Sequence, residues 1–124
     1  MRFFKKSLLL FCLLSILFKL NSQEYNLSSP IDLPLNLSGT FGEFRSSHFH
    51  YGLDITTNKK SGYKIYSIDS GNIIRIRVST SGYGKALYIE HSNGLTSVYA
   101  HLKEFSPKIQ NYIKRQQYLN KSYN

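Results

Sequence analysis

Alternation of apolar and polar side chains is clearest over Ile73–Val78, where Ile74, Ile76 and Val78 interleave with Arg75 and Arg77. Successive side chains of a strand point to opposite faces, so the segment predicts a strand with one buried and one wet face. Ala86–Glu90 and Thr96–Leu102 behave alike. In the second, Val98, Ala100 and Leu102 share one face, and Ser97, Tyr99 and His101 share the other. Ser70-Gly71, Ser81-Gly82 and Asn93-Gly94 supply the turns between them, because glycine takes positive φ freely. Asn93-Gly94 is the strongest hairpin signal of the three. Leu35–Leu102 therefore reads as short strands broken by glycine turns, a mainly β chain built as an antiparallel sheet or barrel.

The period changes after Phe105. Ser106-Pro107 can cap and start a helix. Ile109, Tyr112, Ile113 and Gln116 then fall on one stripe, with Lys108, Lys114 and Arg115 mostly off it. A short amphipathic helix over 107–119 follows, and Asn120–Asn124 reads as a polar, frayed tail. At the other end, Arg2, Lys5 and Lys6 precede the apolar run Ser7–Phe18, which Lys19, Asn21 and Ser22 close. That order predicts a helical export signal over 1–22, cleaved near Ser22–Gln23, with an uncleaved anchor as the alternative. The run is shorter than the ~20 apolar residues of a membrane span. Residues 23–34 are polar, carry two prolines and read as a linker. The remaining length allows one domain, with a core over 35–105 and the helix and tail over 106–124.

Charge changes this picture little. The formal net charge is +9, but only twelve of the sixteen basic residues lie after residue 22, together with all seven acidic ones, which leaves +5. Such a surplus suits an anionic cell-wall polymer or a lipid surface nearby, or serves only solubility. Export removes nucleic acid from the candidate partners. Cysteine usage changes more. Cys12 is the only cysteine and sits inside the leader, so a metal in the mature chain would have to use histidine and carboxylate. An exported chain without disulfides fits the periplasm or envelope of a bacterium.

Two constellations could carry chemistry. The first is His48-Phe49-His50-Tyr51-Gly52-Leu53-Asp54. Imidazole and carboxylate are both good zinc ligands, and a tight bend at Gly52 would aim His50 and Asp54 at one point. By spacing alone the pair is weak, since a histidine four residues before an aspartate is common by chance. His48 reads as an exposed loop histidine. The second is Tyr99-Ala100-His101-Leu102, where alternation places His101 away from Val98 and Ala100. On a cleft wall it would serve as general base or stabilise developing charge. The alternative is a histidine on a half-exposed sheet face. His91, just before Ser92-Asn93-Gly94, reads as a support for a turn.

The ordered set Phe41-Gly42, His50-Tyr51-Gly52-Leu53-Asp54-Ile55, Ile65-Tyr66-Ser67, Asp69-Ser70-Gly71, Gly82-Tyr83-Gly84, Ile89-Glu90-His91, Asn93-Gly94 and Tyr99-Ala100-His101-Leu102 resembles the lysostaphin/LytM-type zinc metallopeptidases of peptidase family twenty-three. The resemblance covers about Leu35 to Leu102. His48-Phe49 and Ser106-Pro107-Lys108-Ile109 look like the envelope-bound members of Bacteroidetes-type bacteria. The resemblance implies a compact antiparallel β metallopeptidase core with zinc in an open groove. It implies His50 and Asp54 as the first two zinc ligands and His101 as a catalytic, non-ligand histidine. It also implies peptidoglycan peptides as substrate. The family completes its site with a later His-x-His pair, whose second histidine is the third zinc ligand, and no histidine follows His101 in these 124 residues. The expectation is a truncated cell-wall hydrolase, incomplete as a fold and inactive alone, and the sequence does not say whether another chain supplies the missing ligand. The alternative is a non-catalytic envelope module that binds cell wall or activates another hydrolase. A lipoyl-type carrier barrel fits poorly, because Lys85 lies beside Gly84 rather than at a hairpin tip between large residues.

Overall fold

A computed structural model describes residues 24–122 of the chain. The leader expected over 1–22 lies outside the described residues. The elements run β1 (Leu37–Gly39), β2 (Phe44–Arg45), β3 (His48–Phe49), β4 (Asp54–Ile55), β5 (Gly71–Arg77), β6 (Ala86–His91), β7 (Thr96–Tyr99) and α1 (Pro107–Asn120). All strand pairing is antiparallel among the described residues. The strands fall into three separate sheets: β5-β6-β7, the pair β1-β4, and the pair β2-β3. The mainly β expectation holds, but no barrel closes among the described residues.

The three-stranded sheet follows from the glycine turns. Gly94 sits at φ 82°, a region that glycine enters freely. Around it the His91 N–H donates to the Leu95 carbonyl at 2.9 Å and the Gly94 N–H to the His91 carbonyl at 3.0 Å. Asn93 Oδ1 accepts from the Leu95 N–H at 3.0 Å, so the side chain closes the same turn. His91 thus supports a turn as expected. It does more, because its side chain is buried at 3% exposure and spans the sheet. Its Nδ1 lies 2.8 Å from the Ser70 carbonyl and its Nε2 lies 2.8 Å from Ser97 Oγ.

Two expectations about these strands are corrected. The register shifts between Ile73 and Arg75, a bulge that breaks the alternation at Ile74. Ile74 is 54% exposed, while Ile76 and Val78 are half-buried, so only the far end of the apolar face is covered. The covering comes from α1, where Ile76 and Val78 line a shared groove with Tyr112, Ile113 and Gln116. The last strand ends at Tyr99 rather than Leu102, because His101 takes a left-handed backbone at φ 55°. Pairing resumes irregularly beyond it, with the His101 N–H on the Tyr83 carbonyl and the Leu102 N–H on the Lys85 carbonyl, both at 3.0 Å.

Helix α1 forms where the apolar stripe predicted it. Pro107 occupies the first turn, Ile113 is buried, and Lys121 closes the helix in the left-handed region. Ser106 makes no side-chain cap bond; its carbonyl instead accepts from the Gln110 N–H at 2.9 Å. Within the stretch read as a linker, Ile31 is buried and bridges Ile65, and the Ser28 N–H reaches the Ile68 carbonyl at 2.8 Å. The buried apolar side chains among the described residues are Ile31, Ala86, Phe105 and Ile113. No helix among the described residues is long and apolar enough to cross a membrane.

Candidate metal centre

The two small sheets exist to place a few side chains. Gly42, at φ 78°, turns the chain from β1 into the β2-β3 hairpin. Phe44 pairs with Phe49 and Arg45 with His48 across that hairpin. The two phenylalanine rings meet edge to face with centroids 5.4 Å apart, a favoured aromatic geometry. Backbone bonds extend the hairpin one step further, from the Gly42 N–H to the His50 carbonyl and from the His50 N–H to the Glu43 carbonyl, both 2.8 Å. His50 is therefore fixed by the hairpin. Asp54 is fixed by a different partner, since β4 pairs with β1 and sets Asp54 opposite Gly39.

The two side chains converge. His50 Nε2 lies 3.2 Å from Asp54 Oδ1. His50 Nδ1 lies 2.9 Å from the Thr40 carbonyl oxygen, which can only accept, so Nδ1 carries the hydrogen. In the neutral ring the lone pair then sits on Nε2, facing a carboxylate oxygen. Two acceptors at that distance repel unless a proton or a cation lies between them. Tetrahedral zinc with bonds of ~2.0 Å sets its donors about 3.3 Å apart. The separation and donor types suit a metal ion between His50 and Asp54 and equally a shared proton, with the Thr40 carbonyl orienting the imidazole in either case. The chain does bend at Gly52, as expected, without a left-handed backbone there. Two separate strand pairings hold the residues on either side of that bend.

Asp54 Oδ2 points away from His50 and accepts from Arg45 Nη2. The Arg45 hydrogen bond holds Asp54 below the usual carboxylate range. Partial burial opposes that shift, while the charges of Arg45, His50 and His101 reinforce it. Arg45 also lies 3.5 Å from Glu43 Oε2. Gly39 makes room for the pair, since a Cβ there would fall 2.6 Å from both Arg45 Nη2 and Asp54 Oδ2.

His101 is exposed and close enough for its charge to act on Asp54. Its left-handed backbone, rather than strand alternation, sets its direction. His48 is exposed as expected, with Ser47 Oγ 3.3 Å from its Nδ1, but it lies in strand β3 opposite Arg45 rather than in a loop. His91 belongs to the sheet, with both ring nitrogens engaged. Among the described residues no three His, Cys, Asp or Glu side chains form a group that could hold a metal. Sequence reasoning missed Arg45, Glu43, Thr40 and Gly39. Only the register of the two small sheets brings them to the site.

An antiparallel β chain with a converging histidine and aspartate and a second histidine nearby is the class of a metallopeptidase domain. The family model of Peptidase family M23 matches residues 48–124, which include His50, Asp54 and His101, and the chain belongs to that family. Metal dependence is general in it. No curated protein and no solved structure matches the chain.

Proposed function

We propose that this chain carries one side of a zinc endopeptidase site that acts on peptidoglycan peptides outside the bacterial cytoplasm. The observation that carries the reading is the pair of acceptors, His50 Nε2 and Asp54 Oδ1, facing each other at 3.2 Å. His50 and Asp54 would hold the metal. When bound, zinc polarises a scissile carbonyl and lowers the pKa of a bound water to about 7. The chain's own residues do the rest. Thr40 holds the His50 tautomer, and Arg45 keeps Asp54 ionised. His101 presents an exposed imidazole that takes the proton of the attacking water and returns it to the leaving amine. The apolar run of 7–18 and the +5 balance of the remaining chain support an exported protein beside an anionic wall.

A catalytic zinc normally has three protein ligands and one open position. Among the described residues, His50 and Asp54 converge and no third His, Cys, Asp or Glu joins them. A pair alone holds zinc weakly, so hydrolysis by these 124 residues should be slight. Purified chain titrated with zinc should bind one ion weakly, and His50→Ala should abolish that binding. Equal binding by His50→Ala removes the reading, and robust zinc-dependent cleavage of purified peptidoglycan by these 124 residues overturns the inactivity.

A second reading, a wall-binding or hydrolase-activating module, draws on the exposed aromatics Phe41, Phe44, Phe49 and Tyr51 that surround the site. Retention on insoluble cell wall by a zinc-free chain, lost when Phe44 and Tyr51 become serine, would favour it over catalysis.

A further inference from the structure

The metal-facing oxygen of Asp54 is selected by a closed circuit of polar contacts. The Thr40 carbonyl accepts from His50 Nδ1 at 2.9 Å. The Thr40 N–H donates to Glu43 Oε2 at 3.4 Å. Glu43 Oε2 meets Arg45 Nη2 at 3.5 Å, Arg45 Nη2 donates to Asp54 Oδ2, and Asp54 Oδ1 returns to His50 Nε2 at 3.2 Å. Each member is fixed by the next, and the hairpin and the β1-β4 pair are locked together by it. A carboxylate can bind zinc through one oxygen or two. With Oδ2 taken by the guanidinium, only Oδ1 is left for a metal beside His50 Nε2.

We propose that Arg45, seated over Gly39, is the positioning residue that fixes Asp54 as a one-oxygen metal ligand. The inference rests on the metal-site reading above. Two effects of Arg45 oppose each other. Its charge repels a divalent cation, while its grip on Oδ2 presents Oδ1 in the ligating direction. Arg45 grips through one nitrogen, Nη2, set by its planar guanidinium between Asp54 and Glu43, and a lysine keeps the charge on a shorter tip without that planar, directional group. Gly39→Ala also keeps every charge, but its Cβ would meet both partners at 2.6 Å, so the two tips must part. The backbone there is not left-handed, so alanine is tolerated conformationally. Charge-preserving variants therefore separate position from charge.

The test measures zinc affinity of the full chain by competition with a chromogenic chelator. It also records the visible spectrum of the cobalt(II) form, whose band intensity falls as coordination number rises. Circular dichroism checks that each variant is folded. Arg45→Lys and Gly39→Ala should each bind zinc about tenfold or more weaker than the unchanged chain, the usual scale for losing an outer-shell partner. Their cobalt band should weaken as Asp54 swings to two-oxygen contact. Lys108→Gln, which removes a charge far along the chain, should change neither readout. Folded Arg45→Lys and Gly39→Ala that match the unchanged chain in both readouts overturn the positioning role while leaving the metal site standing. An unchanged chain that binds no more tightly than His50→Ala overturns the metal site and this inference together.

Discussion

Two histidines of this chain donate through Nδ1 to a backbone carbonyl, and the other nitrogen decides their work. In His91 it is met by Ser97 Oγ at 2.8 Å, so no lone pair remains for a ligand. In His50 it faces Asp54 Oδ1, and a cation fits between them. His101 is the third case. Its φ of 55° is uncommon for a residue with a Cβ and costs about 1–2 kcal/mol of local strain. Asn58, Lys59 and Lys121 share that backbone, so it is the place of His101 near Asp54, not the strain alone, that marks it. Asp54 also carries a pH dependence with a definite sign. Its unfolded pKa is near about 3.9, and Arg45 lowers the folded one. The ionised carboxylate therefore stabilises the fold in full above the unfolded value, and that contribution is lost as pH falls through the lower folded value. Urea midpoints measured from about pH 5 to about pH 2 should fall less steeply in Arg45→Gln than in the unchanged chain, since the mutant lacks the shift. Parallel curves for the two proteins would contradict this.

At the scale of elements, β6 is the best-supported strand, central in the sheet and carrying buried Ala86 and His91. His91 ties the start of β5 to β7 across it. Replacing it with alanine removes two part-buried hydrogen bonds, to the Ser70 carbonyl and the Ser97 hydroxyl. The expected cost is about 1–3 kcal/mol, read as a lower urea midpoint, with zinc binding unaltered. A variant as stable as the original would show that water replaces the imidazole without loss. Much of this sheet was legible beforehand, because Asn93-Gly94 and the alternation of 86–90 act over a few residues. The bulge at Ile74 was not, since it arises from pairing with Ile89 and Tyr88 on another strand. The end of β7 at Tyr99 was not legible either. Alternation alone continues to Leu102, whereas the contacts of His101 and Leu102 with Tyr83 and Lys85 stop it.

At the scale of the whole molecule, the described residues are short of apolar burial. Four apolar side chains are buried among the described residues, and none of the large ones is fully enclosed. Phe41 and Phe44 are each 71% exposed, beside Phe49, Tyr51 and Leu53. Contiguous apolar surface of this kind marks an interaction site or an aggregation risk. The strand edges of β5 and β7 add unpaired backbone groups. The 124-residue chain should therefore bind a hydrophobic dye and self-associate as its concentration rises. A Phe41→Ser, Phe44→Ser double variant should shift sedimentation toward the monomer. A chain that sediments as a monomer at every concentration, without dye binding, would refute this.

Local chemistry along the chain decided the mainly β class, the hairpin at Asn93-Gly94, the stripe of α1 and the types of metal donor. These features act within one turn or one strand, so neighbours in sequence suffice. The ordered set of short motifs also pointed to the peptidase family that the match over 48–124 shows. Tertiary structure alone decided how His50 and Asp54 meet. One is held by the β2-β3 hairpin and the other by β1, so their aim depends on two registers as well as on the bend at Gly52 between them. The same registers bring Arg45 onto Asp54 above a glycine that leaves the space. A contact made between strands has no spacing signature in the sequence, which is why the candidate donors could be read there and the residues that hold them in place could not.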